Sequence, residues 1–444
     1  MLNNPFCYIP SPSVVEAARA LTARIDATPS LRSVFVEGKM LGIMEVEASD
    51  TAGGVRSREL FLRAGRTPEP LSERQSMFIY AFSGMAGGNH FVEGFVPPVY
   101  AYRPESIKAQ SPEHSRQLQD WLFSKYIVCN GLGERRSILD IFAERGLVPP
   151  AGTGDCAAPK LLHYALSHGL KPIAWGEFWY GASPSREIRR SGAFYPACTG
   201  KCGPLLSWMM QGLEVEPNPL ESDAHWHLAD PVVRYEDDSI VVAEKPAGML
   251  AVPGRPLPGV SPRQSLQDWL GRYCGSPVYS CHRLDMDTSG LMVFAKTPEA
   301  QAALQRQFEE REVSKAYLAE LPPDEGARPL EPGSRDKIVL PIAPDWYDRP
   351  RQQVDPEGGK SAVTEYEVLR VAPDGKVSVR LIPYTGRTHQ LRVHCAHPDG
   401  LGRPILGDRL YGGDPAPRLM LHAAHLSFRH PSDSRRMTFD SEFG

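Results

Sequence analysis

Apolar and polar positions follow two rhythms along this chain, and each predicts a different element. Residues 291–295 form an unbroken apolar run that predicts a strand buried in a core. Short apolar or alternating runs at 33–36, 41–46, 77–82 and 91–98 predict further strands, the last two joined through the glycine-rich residues 83–89 as a hairpin. That loop lacks the Lys-Ser/Thr ending of a phosphate-binding loop. Helical spacing takes over at 117–126 and 138–142, and again from about 152 through His168. Past Pro231 the two rhythms mix. Strands are predicted at 232–236 and 239–245, around an Asp237-Asp238 turn, and at 313–321, 362–371 and 376–383. Helices are predicted at 265–273, from Pro298 to Glu310 with Thr297 as N-cap, and from near Thr388 through Leu391, Val393 and His394.

This pattern predicts an α/β (α+β) protein. A chain of 444 residues is too long for one ordinary core. The divisions it suggests are a β-rich region 1–105, an α/β extension 106–215, a polar, proline-bearing linker 216–230 and a compact domain 231–444. The 42 prolines argue for loops and extended segments rather than a helical bundle.

Net charge is only −4, so a nucleic-acid surface has to be local. No apolar run reaches membrane-spanning length, and the first residues lack a basic stretch followed by an apolar one. Eight scattered cysteines suit a reducing compartment. A cytoplasmic monomer is expected.

Three cysteines stand out. Cys156 opens a predicted helix, and Cys198 and Cys202 follow about forty residues later as Pro-x-Cys-x3-Cys. The layout resembles that of zinc deaminases, with two departures. The cysteine pair is spaced by three residues rather than two, and Ala158 stands where that family carries its glutamate. Three readings are open: buried structural cysteines, a structural zinc with His163 or His168 as fourth ligand, or a deaminase. The plain reading, buried cysteines with no metal, is the one carried forward.

Residues 282–290 carry the densest chemistry. His282, Arg283, Asp285 and Asp287 lie on a turn held by Thr288, Ser289 and Gly290, at the mouth of the buried strand. In extended backbone Asp285 and Asp287 would share a face. Five blocks in order resemble the RluA-type pseudouridine synthases: 244–248; this turn; Phe308 to Arg311 with Val313, Lys315 and Tyr317; 384–392; and 404–408 with 421–423. They span roughly half the chain.

The resemblance implies that uridine in RNA is isomerised with no metal, nucleotide or redox cofactor. The C–N glycosidic bond breaks, the uracil turns, C5 bonds to the sugar, and the C5 proton leaves. It implies Asp285 as the reactive carboxylate, Arg387 as the cation paired with it, and Tyr317 as a stacking and proton-transfer group. Arg283 is implied beside the flipped-out base. His282, Lys315, Thr388, His389 and Arg392 are implied as further RNA contacts, and Leu391, with Val393, as an apolar wall under the base.

Between 379 and 430 there are seven arginines against three aspartates, a local basic zone suited to phosphates. The expected partner is a stem-loop of ribosomal or transfer RNA. Two alternatives stay open: a bifunctional enzyme with an N-terminal deaminase-like domain, and a non-catalytic RNA-binding factor.

Overall fold

The computed structural model describes residues 1–48, 76–100, 112–184, 188–217, 229–254, 264–323, 329–345, 348 and 350–443. The chain forms two compact units. Unit 1 comprises Met1–Ser185, Arg189–Asn218 and Asp345–Pro350, and unit 2 comprises Arg186–Ile188, Pro219–Pro344 and Arg351–Gly444. Most of the linker expected at 216–230 lies outside the described residues.

In unit 1, β1 (Lys39–Ala48), β2 (Ser76–Phe82), β5 (Leu170–Tyr180) and β6 (Phe194–Tyr195) form one antiparallel sheet in the order β2-β1-β5-β6. The 1–105 and 106–215 regions therefore share a sheet. Helix α1 (Pro12–Ala27) starts on a Ser11 cap and buries Val14, Ala17, Ala18, Leu21 and Ile25 along one face. The strand expected at 33–36 is instead the end of helix α2 (Pro29–Phe35). Pro29 at its first turn presets helical φ, and Phe35 enters the core beside Phe82 and Phe95.

After β2 the chain turns through paired Ala86 and Asn89 bonds, but 91–98 makes no second strand. Val96 N–H reaches back, to Tyr80 O at 2.7 Å. Gly94 and the Pro97-Pro98 pair interrupt the ladder. Carbonyls of the loop face the Lys160 ammonium, which donates to Phe82 O and Gly84 O, an arrangement opposite to an anion cradle.

The helical stretch resolves into α3 (Pro112–Lys125) and α4 (Ile138–Ala143), separated by the short hairpin β3 (Ile127–Cys129) and β4 (Arg135–Ser137). Helix α5 (Ala157–Ser167) lies so close to β1 that a Cβ on Gly42 would stand 2.7 Å from the Ala157 methyl. A shorter helix, α6 (Gly203–Met209), follows Cys202.

Unit 2 is built on a ten-stranded mixed sheet, largely antiparallel. Its strands are β7 (Val232–Glu236), β8 (Ile240–Lys245), β9 (Tyr279–Ser280), β10 (Ser289–Ala295), β11 (Ser314–Leu321), β12 (Arg335–Val339), β15 (Val363–Val371), β16 (Val377–Pro383), β17 (Leu421–Arg429) and β18 (Arg436–Asp440). They run in the order β12-β15-β16-β11-β17-β10-β8-β7, with β18 on β17 and β9 on β10. A separate ribbon pairs β13 (Ile342–Pro344) with β14 (Gln352–Val354).

Every residue of β10 is buried. Met292 and Phe294 enter one cluster with Leu266 and Leu270 of α7 (Leu266–Tyr273). Leu291, Val293 and Ala295 enter another with Leu304 of α8 (Pro298–Glu309). Both faces are covered, which is why the run reads as continuously apolar. Helix α9 (Gln390–Ala396) is entirely buried and follows the left-handed His389. Among the described residues no helix is long and apolar enough to cross a membrane.

Candidate active site

Among the described strand pairs of this sheet β10–β17 is the parallel one, with Gly290 opposite Ala423. Gly290 has φ +117, and a Cβ there would sit 2.4 Å from Ala423 O. Only glycine fits this approach, which brings the 282–288 loop to the sheet centre. The loop is then pinned at several points. His282 Nε2 accepts from Val293 N–H (3.1 Å), Thr288 N–H donates to Asp285 O (3.1 Å), and Gly248 N–H donates to Met286 O (2.9 Å). Lys245, 1% exposed, gives its three protons to Pro246 O, Met249 O and Met286 O at 2.8–2.9 Å. Burial pushes this ammonium down to about 7, against the pull of Asp287 and then Asp285.

A cleft of about 650 Å³ opens over the loop. Asp285 is half-buried on its wall, and no hydrogen bond to a described residue holds its carboxylate. Burial raises its pKa from the ordinary aspartate value, opposed by Arg392, then Arg283 and Lys245. Tyr317 lines the same cleft. A register shift between Ala316 and Tyr317 in the β11–β17 pairing re-aims that strand, as bulges do. Burial first, and the Asp285 charge second, push its phenol up, so it stays neutral at neutral pH. Asp287 does not line the cleft. Met286 and Asp287 form a turn rather than extended backbone, so the same-face expectation for Asp285 and Asp287 fails.

The expected Asp285–Arg387 pair is absent. Arg387 is exposed on the rim, with Nε donating to Ser361 O at 3.0 Å. The buried bidentate pair of this site is Arg392–Asp408, with Nε–Oδ2 2.8 Å and Nη2–Oδ1 2.7 Å, 3% and 0% exposed. Burial works against the Arg392 charge, and Asp408 overrides it. Gln390 explains the placement of Arg387. Its amide accepts from Arg387 N–H and Thr385 Oγ1 and donates to Val363 O and Thr364 Oγ1, fixing the 385–389 turn on β15.

Two expected RNA contacts are corrected, and a third, His282, keeps its place at the cleft without a charge. Arg392 is consumed by Asp408 and lies too deep for phosphate, although it borders the cleft floor. His389 is buried, with Nδ1 against Tyr411 Oη at 3.0 Å, and burial pushes it well below the usual histidine range. His282 stacks on Phe308 and is pushed down to about 3 by burial and then Lys315, so it is neutral and carries no charge to RNA. Arg283, Lys315 and Thr388 do line the cleft, and Lys315 lies over the Phe308 ring. Leu391 borders the cleft while belonging to the core, whereas Val393 is core alone. The basic zone at 379–430 is thinner than its count of arginines, because Arg392 and Arg403 are buried. Sequence reading did not single out Lys245, Gln390 or Asp408 individually; each already stood inside one of the five blocks.

Residues 239–397 match the family profile of RNA pseudouridylate synthase. Over 216 residues the chain is 44% identical to the dual-specificity RNA pseudouridine synthase RluA of Escherichia coli strain K12, covering 47% of this chain and 91% of that protein. The Pasteurella multocida protein of the same name is 42% identical over 219 residues, 47% of this chain and 91% of that one. Among solved structures, human RNA pseudouridylate synthase domain containing 1 is 29% identical, covers 51% of this chain and 86% of its own, and has a TM-score of 0.39. Unit 2 carries the catalytic domain of an RNA-modifying isomerase. The chain belongs to the RluA-type RNA pseudouridine synthase family, and its reaction is the conversion of uridine in RNA to pseudouridine.

Proposed function

We propose that the cleft acts on a uridine of a ribosomal or transfer RNA stem-loop, with Asp285 as the reactive carboxylate. The observation that carries this is the Asp285 side chain itself. It is sunk in the wall of a cleft, free of hydrogen bonds to any described residue, with cations near enough to oppose the effect of burial and Tyr317 beside it. A carboxylate spared from structural duty is available to attack the sugar or take a proton from it. Tyr317 stacks on the extruded uracil and handles the C5 proton. Arg283, exposed at the mouth, fills the space the base leaves. Lys315 and Arg387, both lining the cleft, meet phosphates.

The name of the bacterial relatives, dual-specificity, supports more than one RNA target for this chain as well. Among the described residues no disulfide joins any of the cysteines, which supports a reducing compartment such as the cytoplasm. The cleft is lined by unit 2 residues, so a monomer suffices for the chemistry.

The test is to map pseudouridines in total RNA from cells carrying the wild-type gene, no gene, or Asp285→Asn. The expected result is one or a few sites lost equally in the last two, while purified Asp285→Asn still binds the RNA. Pseudouridine formation by Asp285→Asn at the wild-type rate would remove the assignment.

A further inference from the structure

Unit 1 contains a cluster that the isomerase chemistry does not use. The Sγ atoms of Cys156, Cys198 and Cys202 all lie within 4.8 Å of one another, although forty residues separate the first from the other two. Three thiolates at about 2.3 Å from one tetrahedral zinc would stand about 3.8 Å apart, so the cluster needs to contract by only about 1 Å or less. All three are free thiols rather than a disulfide. The fold brings them together from two directions. Cys156 is the residue from which α5 starts, and Cys202 the residue from which α6 starts, with Cys198 on the turn between β6 and α6.

Among the described residues no fourth His, Cys, Asp or Glu offers an atom within the same span. His163, one of the fourth ligands considered from sequence, points instead at Cys129, with Nδ1 3.5 Å from that sulfur. One carboxylate is nevertheless held beside the cluster. Glu177 of β5 is buried and its Oε1 accepts from Ala158 N–H at 3.0 Å, two residues past Cys156. No described residue bonds its other oxygen.

We propose that Cys156, Cys198 and Cys202 bind one zinc ion whose fourth coordination position is exchangeable, with Glu177 the carboxylate next to it. Soft thiolate donors in tetrahedral geometry select zinc over harder divalent ions. Three protein ligands and one open position is the coordination of zinc sites that bind and activate a small molecule, whereas purely structural sites close the shell with a fourth side chain. The carboxylate then stands where a ligand on the metal can exchange a hydrogen bond with it.

The experiment uses the full chain purified under reducing conditions. Atomic emission should find one zinc per chain. Iodoacetamide followed by mass spectrometry should spare Cys156, Cys198 and Cys202 until a zinc chelator is added, and Cys198→Ala should lose the metal while pseudouridine formation is unchanged. Cobalt(II) exchanged into the site should give thiolate charge-transfer and tetrahedral d–d bands, and added azide should shift the d–d bands. Metal-free protein whose three cysteines alkylate at the same rate with and without chelator overturns the proposal. So does protection that reductant alone removes, since that marks a disulfide. A cobalt spectrum indifferent to azide overturns the exchangeable position.

Discussion

Replacing Arg392 by methionine tests the reading of the site most directly. The change keeps most of the side-chain volume and leaves the Asp408 carboxylate buried without its cation. Breaking one side of a buried pair costs about 3–5 kcal/mol. Asp408 keeps backbone N–H donors from Leu410 and Tyr411 at 3.1 and 3.2 Å, which places the expected loss near the lower end, about 3 kcal/mol. That corresponds to a rise of about 150-fold in the opening constant of α9, readable as hydrogen exchange of its amides. The double variant Arg392→Met/Asp408→Leu removes both charges and should recover all but about 1 kcal/mol. The same change acts on Asp285, whose pKa is raised by burial and held back chiefly by Arg392. Without that cation the pKa rises further. A rate that needs ionised Asp285 must then fall off at higher pH on the acid side than in the wild type. Asp408→Asn removes an anion instead and moves the acid limb to lower pH. Single-turnover rates of C5-hydrogen release from RNA, measured across pH, give the limb. An Arg392→Met acid limb that stays in place, or α9 exchange unchanged within threefold, would refute the coupling between the buried pair and Asp285.

The other expectations are simpler. Tyr317→Phe should lower the single-turnover rate far more than RNA affinity; equal losses in both would mean the ring serves binding alone. Gly290→Ala forces a methyl group to within 2.4 Å of Ala423 O at φ +117 and should destabilise unit 2 by about 4 kcal/mol, visible as a lower urea midpoint or loss of soluble protein. Arg387→Ala should flatten the slope of log affinity against log salt by about 0.7–0.9, the signature of one phosphate contact; an unchanged slope would take Arg387 off the RNA.

The sequence alone carried local structure and chemical type. The period of 291–295 gave a strand covered on both faces, and Thr297-Pro298 gave the start of α8 at the residue where it begins. The five blocks gave the reaction through their resemblance to one family, which they match in residue type and in order along the chain. Short segments misled where tertiary contacts outweigh propensity. Residues 33–36 look like strand, yet Pro29 and the packing of Phe35 make them the end of a helix.

Only the folded chain decided partners. Arg387 and Arg392 stand five residues apart and are both basic, and the resemblance implied Arg387 as the one in a buried pair. Helix α9 turns one into the core against Asp408, while Gln390 fixes the turn that leaves the other on the rim. His282, His389 and Arg392 were expected as RNA contacts until burial made two of them neutral and the third structural. The three cysteines of unit 1 were separate signals until two helix starts brought their sulfurs together. Charge and spacing are properties of the chain, but pairing depends on distance and desolvation, and these exist only once the sheet has formed.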